Sequence, residues 1–221
     1  MDPSRLPLII KQMLMAMAYW VLTINQVMAE GWNVGFRSIS VSDPAFGGGL
    51  EAALWFPSQA EEVPTSFGEL MLPVARGGEP IGSIKGLVIF SHGFSGNYLS
   101  HHDTARFLAK SGFLVVTPTH PDKLGLASQK PEYDPLVIRP HHLSLLIDYL
   151  LKESAYKAII PADNISVVGF SLGAYSALVS IGGNPSIEGL PSYCIKKPAD
   201  ELLCSGWARK RIGSISKFFS F

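Results

Sequence analysis

The chain has 221 residues, of which 47% are hydrophobic and 10% aromatic, enough for one buried core and too few for two. Its 18 basic and 18 acidic residues balance, and no basic cluster or aromatic-interleaved basic patch is present. The composition therefore predicts one domain that acts on a small, mostly uncharged molecule, and it gives no electrostatic support for a nucleic-acid partner.

The first 29 residues have the pattern of a secretory signal peptide. Arg5 and Lys11 precede an apolar run at 13–24, and the small residue Ala29 offers a cleavage site. We therefore predict a signal peptide over residues 1–29 and export to the periplasm or the medium. The alternative is an uncleaved anchor, but the apolar run is shorter than the roughly 20 residues that span a bilayer, so no stable membrane span is expected.

The remaining residues, 30–221, have the alternation of strands and helices that is typical of an α/β domain with a mostly parallel sheet. The predicted strands lie at 34–41, 50–56, 85–90, 113–117 and 165–168. The first two are expected to pair as an antiparallel hairpin on the lid side, because their apolar residues alternate or cluster.

Helices and loops are predicted between these strands. A helix is expected at 101–110, opened by a capping box of Ser100 and Asp103. Apolar residues at helical spacing predict a second helix with the face Leu143, Leu146, Ile147, Leu150 and Leu151. Residues 57–83 are punctuated by Pro and Gly and predict a loop, and residues 124–139 predict an irregular crossing.

The sequence GFSLG at residues 169–173 lies between an apolar strand and a helical segment. A strand that reverses directly into a helix forces the residue at the turn into strained backbone, and side chains at Gly169 and Gly173 would collide with the neighbouring elements. This is the nucleophile elbow, and it predicts that Ser171 is a catalytic nucleophile.

A glycine-rich turn at 91–96 follows the buried strand at 85–90 and can aim backbone N–H groups. Acyl transfer places negative charge on a carbonyl oxygen, which needs two preorganised donors. We expect these oxyanion-hole donors to be the N–H groups of Leu172 and Phe94. His92 is interpreted as ordering this turn, and His120, at the end of a strand, is a possible residue of the substrate pocket.

Four segments together resemble the α/β-hydrolase superfamily: 90–94, 107–116, 119–122 and 169–173. Their order and their amino-acid sequences resemble those of the dienelactone hydrolase-like proteins related to platelet-activating-factor acetylhydrolases, over about residues 34–216. The resemblance implies a serine nucleophile at Ser171, an oxyanion hole at Phe94 and Leu172, and ester substrates with short or oxidised acyl chains.

The chain departs from that family after Ser171. In the family order the triad acid and histidine both follow the serine, whereas all six histidines here precede it. The later carboxylates, Glu188, Asp200 and Glu201, lie in a loop-like segment, and a candidate strand at 211–216 has just begun when the sequence ends. We identify no triad acid or histidine, and expect an incomplete α/β-hydrolase domain whose C-terminal strands and helices are missing.

Cys194 and Cys204 lie ten positions apart in this segment, and export would let them form a disulfide. A loop this short would be stabilised by roughly 3 kcal/mol in the chain-entropy model. No C-x-x-C spacing or following histidine points to a metal, so neither a metal nor a cofactor is expected.

These observations predict a serine-dependent carboxylic ester hydrolase that acts on small or short-acyl esters through an acyl-enzyme on Ser171. Two alternatives stay open. One is a non-catalytic remnant that binds apolar esters in a preformed cleft. The other is an acyltransferase on the same scaffold, which would pass the acyl group to an acceptor other than water.

Overall fold

The computed structural model describes residues 31–122, 133–186, 189–200 and 204. In this part of the chain, seven strands and four α-helices are formed. The strands are β1 (Asn33–Ser42), β2 (Gly49–Ser58), β3 (Val63–Phe67), β4 (Leu70–Val74), β5 (Leu87–Ser91), β6 (Leu114–Pro118) and β7 (Ile165–Gly169). The helices are α1 (His102–Lys110), α2 (Pro135–Asp148), α3 (Leu172–Ser180) and α4 (Leu190–Lys196), and α2 continues into a π-helical turn, Tyr149–Glu153.

Five strands form one sheet in the order β1-β2-β6-β5-β7. The three strands nearest the predicted site run parallel, because β5 pairs in parallel with both β6 and β7. The first two strands are antiparallel, β1 to β2 and β2 to β6. The sheet is therefore mixed: the β1–β2 pair is antiparallel, as predicted, and the parallel pairing is confined to β6, β5 and β7.

Side chains alternate between the two faces of this sheet, and each face carries its own apolar core. On one face Leu87 and Ile89 pack with Leu143 and Leu146 of α2. On the other face Val88 of β5 belongs to a cluster that also contains Trp55, Phe90, Val115 and, from α1, Ala105 and Ala109. A sheet covered by helices on both faces explains why β5 and β6 are continuously buried.

Strand order creates a crevice where the site is expected. The chain passes from β5 through α1 to β6 on one side of β5, and later returns through α2 to β7 on the other side. Ligands of such sheets bind beyond the carboxyl ends of the strands, where the order reverses. The residues at those ends are the 91–96 turn, the segment 119–122 and Ser171.

The N-terminal part of the domain differs from its prediction in two ways. The β1–β2 hairpin is part of the main sheet, since β2 pairs with β6 through Ala52↔Pro118, and it is not a separate lid-side element. The predicted 57–83 loop contains the β3–β4 hairpin, in which Pro64 and Pro73 lie opposite each other.

Helix boundaries account for the other differences. Helix α1 has His101 as its N-cap with no side-chain cap, while the Ser100 hydroxyl accepts from the Asn97 N–H, so no capping box forms. Helix α2 begins at Pro135 behind the N-cap Asp134, so residues 135–139 are helical and not an irregular crossing. The predicted signal peptide, the rest of that crossing within 123–132, and the candidate strand at 211–216 lie outside the described residues.

Candidate active site

Ser171 occupies the sharp turn between β7 and α3. Its backbone is in a strained region, φ 53° and ψ −119°, and the residue is exposed. A Cβ atom on Gly169 would lie 2.1 Å from the Gly173 carbonyl oxygen, and one on Gly173 would lie 2.0 Å from the Ser91 carbonyl oxygen. The two glycines therefore let the turn close and let α3 start directly against the end of β5.

The 91–96 turn lies beside this serine. A Cβ atom on Gly93 would be 3.6 Å from the Ser171 Cβ, which places the backbone before Phe94 next to the serine side chain. Within the described residues, neither the Phe94 N–H nor the Leu172 N–H has a hydrogen-bond acceptor. Two unpaired backbone donors thus flank Ser171, one from each loop named in the sequence analysis.

The aromatic side chains beside these donors are exposed. Phe94 is 49% exposed and Phe170, directly before Ser171, is 60% exposed. The Phe170 ring lies 5.5 Å from the His101 ring, which stacks on Phe90 at 4.4 Å. The surface around the serine is therefore apolar and aromatic.

The turn is held from behind by side chains that the sequence analysis did not single out. Arg139 of α2 is fully buried and donates to the carbonyl oxygens of His92, at 2.7 Å, and Gly93, at 3.1 Å. Its partner Asp122 also accepts from the Ser95 N–H at 2.9 Å. The one available signal was a lone arginine in an otherwise mostly apolar helix.

His92 orders the same turn, in the role expected for it. Its Nε2 accepts from the His120 N–H at 3.0 Å, so the ring proton is on Nδ1, which donates to the Gly93 carbonyl oxygen at 2.5 Å. Burial is the main reason that the pKa of His92 is lowered. A neutral ring with fixed proton positions therefore links β5 to the residue that follows β6.

His120 is only 3% exposed, and it belongs to a buried histidine cluster, not to an open pocket. Its Nε2 lies 2.9 Å from the Ser91 hydroxyl and its Nδ1 lies 3.2 Å from Nδ1 of His142. His142 in turn lies near Asp43, whose carboxylate is 3.1 Å from Nε2 of the half-exposed His141. The predicted pocket role of His120 does not agree with this burial, because both ring nitrogens already have protein partners.

None of the six histidines, all of which are in the described residues, is hydrogen-bonded to Ser171. Five have polar partners elsewhere, and His101 stacks on Phe90. No described carboxylate accepts from the serine hydroxyl either. The geometry thus places two unpaired backbone N–H groups beside the serine, while the described residues provide no proton acceptor for its hydroxyl.

The buried histidines predict loss of stability in acid. Burial lowers the pKa of His142 from 6.5 to about 4, against the opposing effect of Asp43, and burial lowers the pKa of His120 well below its usual value. Protonation then favours the unfolded chain, so the stabilisation is complete above pH 6.5 and is lost as the pH falls towards 4. For His142 alone we expect a decrease of roughly 3 kcal/mol in the free energy of unfolding, measured by urea titration across this range.

The matched variants for this acid prediction are His142→Asn and His102→Asn. The first should reduce the pH dependence between 6.5 and 4, with the part due to His120 remaining, whereas the second should leave it as in the parent, because His102 lies outside the cluster. An unchanged slope in His142→Asn would contradict the assignment.

Cys194 and Cys204 form a disulfide, with their Cα atoms 5.3 Å apart. The segment is not the loop that the sequence suggested, because Cys194 lies on α4. Among residues 31–122, 133–186, 189–200 and 204, no three His, Cys, Asp or Glu side chains are grouped so that they could hold a metal ion. No helix in this same part of the chain is long and apolar enough to cross a membrane.

Comparison with solved structures finds a similar fold in an enzyme. A ferulic acid esterase from Streptomyces cinnamoneus superposes with a TM-score of 0.55 and 20% sequence identity, over 69% of this chain and 56% of that one. The match thus spans little more than half the length of the esterase, and at this identity it establishes the fold alone. No protein-family model matches the sequence, and no curated protein matches it.

This similarity agrees with the predicted α/β class. It does not extend to the dienelactone hydrolase-like group.

Proposed function

We propose that this protein is a serine-dependent ester hydrolase of the α/β-hydrolase superfamily, similar to the dienelactone hydrolase-like group, and that Ser171 is its nucleophile. The observation that carries the proposal is the Ser171 turn: an exposed serine at φ 53° with two unpaired backbone N–H groups beside it. Strained backbone of this kind persists where the surrounding structure determines it, and it is concentrated at functional sites.

In the proposed reaction the Ser171 hydroxyl oxygen attacks the ester carbonyl carbon and its proton passes to a base. The N–H groups of Phe94 and Leu172 hold the negative oxygen of the tetrahedral intermediate. Collapse of this intermediate expels the alcohol, which takes up a proton, and water then releases the acid and the free serine. The six histidines as placed here do not supply the base.

A small, uncharged ester suits the surroundings of Ser171. Phe94 and Phe170 expose apolar rings beside the serine, and no described ion pair involves a residue of α3. A fold similarity to a ferulic acid esterase points in the same direction for the reaction class. Export is part of the proposal, supported by the Cys194–Cys204 disulfide and by the sequence pattern of residues 1–29.

A fluorophosphonate probe tests the proposal, because it reacts with a nucleophilic serine and leaves a mass tag on it. We expect the tag on the peptide that contains Ser171, with no tag in Ser171→Ala. Ser180→Ala, at the far end of the same helix, is the matched control and should be tagged like the parent.

A non-catalytic ester-binding protein is the second candidate, favoured by the absence of a histidine on Ser171 in the described residues. It predicts a protein that binds nitrophenyl acetate but gains no Ser171 tag under any condition. A tag that depends on Ser171 would exclude it.

A further inference from the structure

Arg139 is a fully buried cation whose donors are divided between one carboxylate and two backbone carbonyls. Its Nε and one terminal nitrogen bind the two oxygens of Asp122, at 2.8 and 2.5 Å. The other terminal nitrogen donates to the His92 carbonyl, and the nitrogen that binds Asp122 also donates to the Gly93 carbonyl. The arginine therefore fixes two consecutive peptide groups directly behind Phe94.

We propose that Arg139, held by Asp122, is a positioning residue that fixes the Gly93–Phe94 peptide so that the Phe94 N–H faces Ser171. This inference rests on the proposed function, in which that N–H is an oxyanion donor. It assigns the task of preorganising the donor to a side chain from a different element, α2, which has no described hydrogen bond to Ser171.

The planarity of the peptide bond connects the arginine to the donor. In a trans peptide the C=O of Gly93 and the N–H of Phe94 point in opposite directions. The Gly93 carbonyl accepts from Arg139, from the His92 ring and from the Gly96 N–H at 3.2 Å, so its direction is fixed by three donors. The Phe94 N–H must then point away from the arginine, on the side of the turn where no described acceptor meets it.

Asp122 holds the other end of the same turn. Its carboxylate accepts from the N–H of Ser95, which like Ser171 is a non-glycine residue with a positive φ, 58°. One ion pair thus restrains both peptide groups that flank Phe94. Burying such a pair is costly, and an apolar pair of similar volume often gives equal or greater stability. The turn therefore requires the geometry of the Arg139–Asp122 ion pair more than the pair's contribution to stability.

Phosphonylation kinetics test the inference in Arg139→Lys, which keeps the charge but loses the planar fork, and in Arg139→Gln. With fluorophosphonate and a fixed concentration of imidazole, we expect the maximal rate constant of Ser171 tagging, kinact, to fall about 10-fold in the first and about 100-fold in the second, approaching the loss of one oxyanion donor. The probe's KI should stay within about threefold, because the exposed aromatic surface is unchanged.

Arg106→Lys is the matched control, since Arg106, which lies on α1, pairs with Glu62 away from the turn. It should keep the parent kinact. A kinact within about twofold of the parent in both Arg139 variants, or an equal fall in Arg106→Lys, would overturn the inference.

Amide NMR makes the inference testable even if Ser171 proves unreactive. In Arg139→Lys the Phe94 and Ser95 amide resonances should move, while that of Phe107 on α1 should not. If the parent is not tagged at all, the proposed function fails, and unmoved Phe94 and Ser95 resonances in Arg139→Lys would then reject the positioning role separately.

Discussion

Imidazole added to the solvent is expected to accelerate the tagging of Ser171 by a fluorophosphonate. The serine is exposed and has two unpaired N–H donors beside it, yet no described histidine or carboxylate accepts its proton. A free base with a near-neutral pKa can reach such a hydroxyl. Positioned general bases contribute about 10²–10⁴-fold, so we expect an unpositioned one at about 50 mM to give about 10-fold.

The effect of Ser171→Ala on the rate of ester hydrolysis tests independently whether a base acts on the serine. When a serine and its base work as a unit, loss of either costs about as much as loss of both, up to about a million-fold. If no residue of the chain supplies a base, Ser171→Ala should change the slow hydrolysis of nitrophenyl acetate by less than about 10-fold in buffer alone. A loss of more than about 1000-fold would show that a residue outside the described part of the chain acts as the base.

Two results would contradict this interpretation. Fast tagging that is independent of imidazole and lost in one histidine variant would mean that a ring of this chain reaches the serine in solution. Absence of any tag in a folded protein with imidazole would reject Ser171 as the nucleophile. Mass spectrometry of the tagged peptide is the readout, because imidazole itself hydrolyses nitrophenyl esters.

The sequence was sufficient for the elements whose residues interact locally. The buried strand β5, the β7-to-α3 turn and the glycines at 169 and 173 follow from apolar runs and from the steric needs of one sharp reversal. These signals depend on residues close together in the chain, so one sequence carries them.

Pairings between segments that are distant in the chain could not be predicted from the sequence in this way. The position of β2 beside β6 depends on a register between residues that are 60 to 66 positions apart, and the prolines of β3 and β4 suggested a loop. Arg139 is 46 residues from Gly93 and 17 from Asp122, so no spacing pattern relates them. The buried position of His120 likewise depends on His142 and Ser91, which come from other elements.

Gly173→Ala is expected to destabilise the fold strongly, because the added Cβ would overlap backbone atoms. Its Cβ would lie 2.0 Å from the Ser91 carbonyl oxygen and 2.7 Å from the His92 carbonyl oxygen, both of which are backbone atoms. Relief requires that β5 or α3 move, since no side chain can rotate away. We expect a loss of about 3 kcal/mol or more in the free energy of unfolding, measured by urea titration.

Gly77→Ala provides the matched control, because nothing lies within 4 Å of a Cβ at that position and its φ is not positive. Its stability should stay within about 0.5 kcal/mol of the parent. A Gly173→Ala protein as stable as Gly77→Ala would show that α3 does not start against β5 as described.

The Gly173→Ala substitution should also lower the reactivity of Ser171. Any movement of α3 away from β5 separates the Leu172 N–H from the 91–96 turn, and hence from the Phe94 N–H. Imidazole-dependent tagging of Ser171 should therefore fall about 100-fold in whatever fraction of Gly173→Ala remains folded, since one donor would be lost from the intermediate. If the folded Gly173→Ala protein is tagged at the parent rate, the close packing of Gly173 is needed for folding alone and does not contribute to oxyanion stabilisation.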